Sequence, residues 1–159
     1  MPDPDAPSRA EPGRAAPFHA GLIALYDRGA WKGVLIEGES GSGKSDLALR
    51  CLSLGFRLVA DDRTRLWVSE GRLFGAAPES IAGLIEARGL GVIPVEPRRF
   101  AEVSLVVRCT MPQDPLERLP DPSSRTLLGV VLPRIAVRPL EASTPQKVIR
   151  ALSPLGGWR

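Results

Sequence analysis

The sequence predicts a mixed α/β domain built around a sizeable sheet, and three observations carry that prediction. Short β-branched and apolar runs recur between residues 22 and 137 and outnumber the stretches with helical spacing. One glycine-rich segment follows such a run directly and precedes a helical pattern, as where a strand turns into a helix. The composition, 43% hydrophobic and 25% charged over 159 residues, is that of an ordinary globular domain with one core.

Residues 1–17 hold five prolines among Asp, Ser, Arg and Gly, with no apolar periodicity. This predicts a disordered tail ahead of a domain over residues 18–159. Residues 22–26 read as a strand, 27–33 as a polar turn and 34–37 as a β-branched strand. Leu47, Ala48, Cys51 and Leu52 then share one helical face, and Gly55 ends that helix. A buried strand over 56–60 ends on Asp61-Asp62. Residues 65–68 and 72–74 flank Ser69-Glu70-Gly71 as a hairpin. A short helix is expected over 79–86, with Ile81, Leu84 and Ile85 inward. Strands are expected over 92–95, 103–107, 127–131 and 135–137. Thr144-Pro145 starts a last helix, a capping residue followed by proline in the first turn, running to about Leu152.

A net charge of +3 and a pI near 9.3 invite a nucleic-acid reading. The basic residues, however, are scattered arginines, and aromatics for stacking bases are only 5% of the chain. An ordinary basic surface is the better reading, and no nucleic-acid partner is expected. No apolar run is long enough to span a bilayer, and no charged start followed by an apolar core marks an export signal. Cys51 and Cys109 are isolated in apolar stretches, as small buried thiols of a reducing compartment are. A cytoplasmic protein is expected.

The segment Gly38-Glu39-Ser40-Gly41-Ser42-Gly43-Lys44-Ser45 matches G-x-x-x-x-G-K-[ST] at every fixed position. Glycines let successive N–H groups turn inward around phosphate oxygens without a Cβ in the way, and the helix N-terminus adds its positive end there. Lys44 then reaches the β- and γ-phosphates, and the Ser45 hydroxyl becomes a magnesium ligand. A glycine-rich helix cap that binds nothing is the alternative. Chance supplies the four fixed residues on the order of once in a hundred chains of this length, before the strand–loop–helix context is counted. ATP with Mg2+ is the expected pair of cofactors.

Phosphoryl transfer also needs a metal anchor, a proton acceptor and cations over the migrating group. Asp61-Asp62, at a strand end, supplies carboxylates where strand ends open onto a ligand crevice. One aspartate is suited to a metal-bound water and the other to the acceptor's proton. Solvated turn aspartates would look the same in sequence. In Glu86-Ala87-Arg88-Gly89-Leu90-Gly91, the glycines permit close backbone approach and Glu86 is placed to complete a magnesium shell. Glutamate and arginine near a helix end are nonetheless common.

Those three segments, Gly38 to Ser45, Leu58-Val59-Ala60-Asp61-Asp62 and Glu86-Ala87-Arg88-Gly89-Leu90-Gly91-Val92-Ile93, together resemble the catalytic domain of bacterial HPr kinase/phosphorylase. The stretch Gly75-Ala76-Ala77-Pro78 is similar as well, and the likeness covers roughly residues 18–139. It implies a P-loop kinase fold related to phosphoenolpyruvate carboxykinase, a mixed sheet with flanking helices. It also implies ATP-dependent phosphorylation of a serine on HPr, the small phosphocarrier protein of the sugar phosphotransferase system. On this resemblance Lys44 binds the β/γ-phosphates, Ser45 and Glu86 ligate magnesium, and Asp62 takes the proton from the acceptor serine. His19 matches a histidine near that aspartate, Arg118 matches an arginine on a mobile loop over the site, and Arg88, Gly89 and Gly91 belong to the family signature.

The chain also departs from the family. It has a proline-rich tail where long members carry an N-terminal domain, which resembles a shortened form. The segment between His19 and the loop is about four residues longer. Arg138-Pro139-Leu140-Glu141-Ala142-Ser143 replaces the stretch tied to the reverse, phosphate-driven dephosphorylation, so that reaction is not part of the expectation. The C-terminal helices are cut to one, which leaves the family's hexamer outside it too, while a homo-oligomer of some other order stays open. An ATP-binding regulatory module with little phosphotransfer is the competing class. A GTPase is disfavoured, since no Asn-Lys-x-Asp guanine signature is present.

Overall fold

The computed structural model describes residues 17–153. The expected tail, apart from Pro17, and the last residues after 153 lie outside that span. In chain order the elements are β1 (Gly21–Asp27), β2 (Ala30–Glu37), α1 (Lys44–Leu52), β3 (Arg57–Ala60), β4 (Arg65–Ser69) and β5 (Arg72–Ala76). A 3₁₀ turn at Glu79–Ile81 follows, then β6 (Leu84–Ala87), β7 (Gly91–Pro94), β8 (Ala101–Cys109), β9 (Ser123–Leu127), β10 (Val130–Val137) and α2 (Thr144–Leu152).

Three hairpins share one turn chemistry. Arg28-Gly29, Glu70-Gly71 and Leu128-Gly129 each place two successive residues at positive φ: 50° and 83°, 50° and 74°, 48° and 81°. Such two-residue turns match the right-handed twist of the flanking strands, and glycine carries the second position at no steric cost. They join β1 to β2, β4 to β5 and β9 to β10 in antiparallel register.

The main sheet has the order β3-β1-β2-β8-β10-β9, with the β4–β5 hairpin joined through β5 to the start of β8. β6 and β7 form a separate ribbon. At the centre, β2, β8 and β10 run parallel, pairing Glu37 with Arg108 and Cys109 with Val137. Their C-terminal ends, and the loops that follow, therefore meet at one edge of the sheet, where α/β folds build ligand sites.

Strand alternation divides the core in two. Ile23, Val34, Ile36, Leu105 and Val107 face α1 and α2, which contribute Leu47, Ala48, Cys51, Val148 and Leu152. Leu22, Ala24, Leu35 and Val106 face the other way, against Leu73 of β5 and Leu132 of β10. Both helices thus lie on one side of the sheet. Burial pushes the Cys51 and Cys109 thiols up to about 12, so both act as small apolar side chains, as expected.

Four local expectations need correction. The polar turn expected over 27–33 shrinks to Arg28-Gly29, because β1 and β2 stay paired out to Asp27 and Ala30. Residues 79–86 do not form a helix. Gly83 turns at φ 73° and Ile85 pairs with Ile93, so the second half becomes β6, and its apolar residues pack as a strand. Residues 127–131 are not one strand, since Leu128-Gly129 is the turn between β9 and β10. Ser143 rather than Thr144 occupies the cap of α2, and the Thr144 hydroxyl donates back to the Arg138 carbonyl at 2.6 Å.

Gly33 marks the tightest approach within the sheet. A Cβ built there would lie 2.4 Å from the Glu102 carbonyl oxygen, where the β2–β8 register shifts. Backbone cannot yield as a flexible side chain does. Gly33→Ala is predicted to cost about 1–3 kcal/mol. The measurement is urea unfolding, where a lower midpoint at unchanged slope is expected. An unchanged midpoint would contradict the close approach.

Candidate functional site

The chain leaves β2 at Gly38 and enters α1 at Lys44, and the glycines in between decide the shape of the loop. Gly38 has φ 156°, and a Cβ there would meet the Ser42 hydroxyl oxygen at 2.7 Å and the Cys109 carbonyl oxygen at 3.0 Å. Gly43 caps α1 in the left-handed region at φ 106°, pressed against the Pro139 ring. The Ser42 N–H donates to the Glu39 carbonyl at 3.0 Å, closing the turn. Ser42 Oγ is buried and has no hydrogen-bond partner among the described residues. A buried hydroxyl left over inside a glycine loop at a helix N-terminus fits an incoming anion's oxygen.

Lys44, only 7% exposed, donates from Nζ to the Gly38 carbonyl at 2.9 Å and the Glu39 carbonyl at 3.0 Å. Its ammonium is thus held over the loop. Ser45, next along α1, donates from Oγ to Asp61 Oδ1 at 2.7 Å, and Asp61 Oδ2 accepts the Glu86 N–H at 2.9 Å. One carboxylate therefore couples the start of α1 to the β6–β7 ribbon. Asp62 adopts φ 63°, an uncommon conformation for a residue with a Cβ, which turns its side chain away from Asp61's contacts. Asp62 Oδ1 lies 2.8 Å from His19 Nε2, with both side chains about half exposed.

Ser42, Lys44, Ser45 and Asp62 line one cavity of about 520 Å3, together with the rest of residues 40–46, Glu86 and Arg88. Small-molecule sites commonly run from roughly 300 to 1,000 Å3. Of the residues expected from sequence, Gly38 and Glu39 hold the lysine from behind the wall. His19 stands behind Asp62, and Gly89 and Gly91 shape the turn beyond Arg88 at φ 91° and 109°. Arg118 is the outlier. It is exposed on the irregular segment between β8 and β9 and does not line the cavity.

Sequence reasoning left other residues aside. Asp61's role as a bridge had only its strand-end position as a signal. Leu49 and Leu140 line the cavity without any motif. Glu37, the last residue of β2, accepts from Arg125 of β9 at 3.1 Å, and that guanidinium also lies 5.9 Å from the Phe18 ring beside His19. Nothing in the local sequence links residues 88 positions apart.

Fold and site first define a class: an α/β domain with a glycine-rich loop running from a parallel strand into a helix, faced by carboxylates across a single cavity. Comparison with known proteins narrows it. The family described as the HPr Serine kinase C-terminal domain matches residues 14–151, and the chain belongs to that family. Curated relatives include the HPr kinase/phosphorylase of Xanthomonas campestris pv. campestris, 41% identical over 134 residues, covering 76% of this chain and 41% of that protein. The HPr kinase/phosphorylase of Levilactobacillus brevis is 35% identical over 130 residues, covering 75% and 40%. A solved structure, the Hpr(Ser) kinase/phosphatase from Coxiella burnetii, matches with a TM-score of 0.71 at 29% identity, covering 87% of this chain and 93% of that one. The chain spans about two fifths of the length of those two curated relatives.

The Asp61 bridge is directly testable. Asp61→Ala removes the acceptor for both Ser45 and the Glu86 N–H, and the Glu86 amide should then exchange with deuterium at least about tenfold faster, the loss of a charge-assisted hydrogen bond. An unchanged exchange rate would mean that the carboxylate does not hold the ribbon.

Proposed function

We propose that this chain is an ATP-dependent protein-serine kinase whose acceptor is HPr, acting in the cytoplasm through a catalytic domain over residues 18–159. The observation that carries the reading is the pairing, across one cavity, of the loop bearing Lys44 and Ser45 with an aspartate held by histidine, Asp62 with His19. The relatives' names supply the acceptor. No helix among the described residues is long and apolar enough to cross a membrane.

When bound, ATP with Mg2+ supplies the transferable phosphoryl group and offsets its charge. Backbone N–H groups of residues 38–45 hold the phosphates, and the Lys44 ammonium binds the β- and γ-phosphates. Ser45 and Glu86 would hold Mg2+, which would supply positive charge beside the phosphates. Asp62 accepts the proton of the acceptor serine hydroxyl as that oxygen bonds to the γ-phosphorus and the bond to the β–γ bridging oxygen breaks, releasing ADP. His19, on the same carboxylate, fixes its orientation. Arg88 and the glycines of its turn border the acceptor's path. Arg118 enters as a cation on the exposed segment between β8 and β9, which must fold over the cavity to reach the migrating group. The proposal is confined to the forward direction.

Two variants and one acceptor assay test it. The purified chain is mixed with ATP, Mg2+ and HPr, and the intact mass of HPr is followed for one added phosphate on serine. Asp62→Asn should slow transfer by about 10²–10⁴ while ATP still binds, because the base acts on the acceptor. Lys44→Ala should leave no detectable transfer. Full turnover in either variant contradicts the assigned role, and nucleotide binding without transfer by the parent chain would make it an ATP-binding sensor module instead.

A further inference from the structure

The cavity continues past the phosphate loop. Leu49 lies one turn beyond Ser45 on the same face of α1, and Leu140 stands over Gly43, with its Cδ2 3.5 Å from where a glycine Cβ would be. Leu140 is 73% exposed, a large aliphatic side chain left in solvent at the mouth of a polar site. Single exposed leucines are ordinary on protein surfaces and need no explanation. This one differs because the turn that carries it is fixed from several sides.

The Arg50 guanidinium of α1 donates to the Pro139 carbonyl and, at 3.3 Å, to the Glu141 carbonyl. The Thr144 hydroxyl donates to the Arg138 carbonyl at 2.6 Å, and Arg138 donates to the Asp114 carbonyl at 3.3 Å. The Glu141 N–H closes the turn onto the Arg138 carbonyl at 3.2 Å, and the Pro139 ring rests on Gly43. A loop held this way presents its apolar side chain in one place, so a ligand meets it without having to order it first.

The loop also orients whatever lies along it. Ser45 is tied through Asp61 to Glu86, so the carboxylate side of the cavity belongs to the Ser45 end. Gly43 is tied to the Pro139–Leu140 turn, so the aliphatic side belongs to the other. A triphosphate running along the loop, with its terminal group toward Asp62, leaves its remaining end beside Leu140. We propose that the Leu140 side chain forms the shelf on which the heterocyclic base of the nucleoside triphosphate rests. This rests on the phosphate-binding reading given above. Aliphatic carbons cover the face of a flat ring and make no hydrogen bonds to its edge, so the shelf supplies affinity for an aromatic ring more than choice between bases.

The test compares two ligands on the full chain by calorimetry in the presence of Mg2+: ATP, and inorganic tripolyphosphate, which has the phosphates and no base. Leu140→Ser, at an exposed position, should weaken ATP about five- to tenfold and leave tripolyphosphate within about twofold of the parent, the scale of apolar area removed from one leucine. Leu140→Met, which restores aliphatic volume, should recover most of the ATP affinity. Equal losses for both ligands would show that Leu140 only props up the loop, and no loss for either would show that the base lies elsewhere. Both results overturn the shelf and leave phosphate binding standing. A parent chain that binds neither ligand would overturn the phosphate-binding reading and the shelf with it.

Discussion

Two parallel pairings, β2 with β8 and β8 with β10, oblige the chain to come back to the same edge of the sheet each time it leaves a central strand. The segments that follow Glu37, Cys109 and Val137 are therefore neighbours although they lie far apart in sequence. The glycine loop, Thr110 with its hydroxyl on the Val137 carbonyl, and the turn over Gly43 all occupy that one edge. Reversing either pairing would send one of these segments to the far end of the molecule. The cavity is a product of strand direction before it is a product of any side chain.

Within that frame, the site separates two acidic neighbours by backbone conformation. Asp61, in the bend just after β3, spends both oxygens on Ser45 and the Glu86 amide. Asp62 is turned into the left-handed region, facing His19 and the cavity. Such a conformation in a residue with a Cβ costs free energy of order 1–3 kcal/mol and persists where the surroundings hold it, which is common where chemistry is done. The bridge between Phe18 and Thr64, with hydrogen bonds of 2.8 and 2.9 Å, fixes the strand entry that carries His19.

Much of this was legible in the chain itself. The fixed spacing of the loop, the strand before it and the helix after it could be read because each depends on local chemistry: glycine's freedom, β-branching and a single apolar helix face. The Asp61-Asp62 pair could be placed at a strand end from the residues alone, whereas the choice of Asp62 came only with the family resemblance, on which the part given to Glu86 also leaned. The errors arose where tertiary pairing overrode local preference. Residues 79–86 have helical spacing of Ile81, Leu84 and Ile85, yet Ile85 satisfies its backbone against Ile93 instead. Leu128-Gly129 interrupts what reads as one apolar strand, and only its partner strand reveals the turn. Leu140 and the Glu37–Arg125 pair could not be found from sequence at all, because what defines them is proximity across more than eighty residues.

Among the described residues the β6–β7 ribbon hydrogen-bonds to no other strand, so side chains rather than a ladder join it to the body of the molecule. It is moored by the buried Ile85 and the Asp61 carboxylate, and its far end is closed by the Val95 amide on the Gly83 carbonyl. Ile93 and Val95 pack against the same core as Ile85, so the ribbon is seated on the body of the molecule beside α1. Glu86 and Arg88 both sit on this ribbon, one in its strand and one at its turn, so an anionic and a cationic group reach the cavity on the same support. Because the two charges are opposite, the ribbon adds no net charge to the face it presents to the cavity and contributes a dipole there instead.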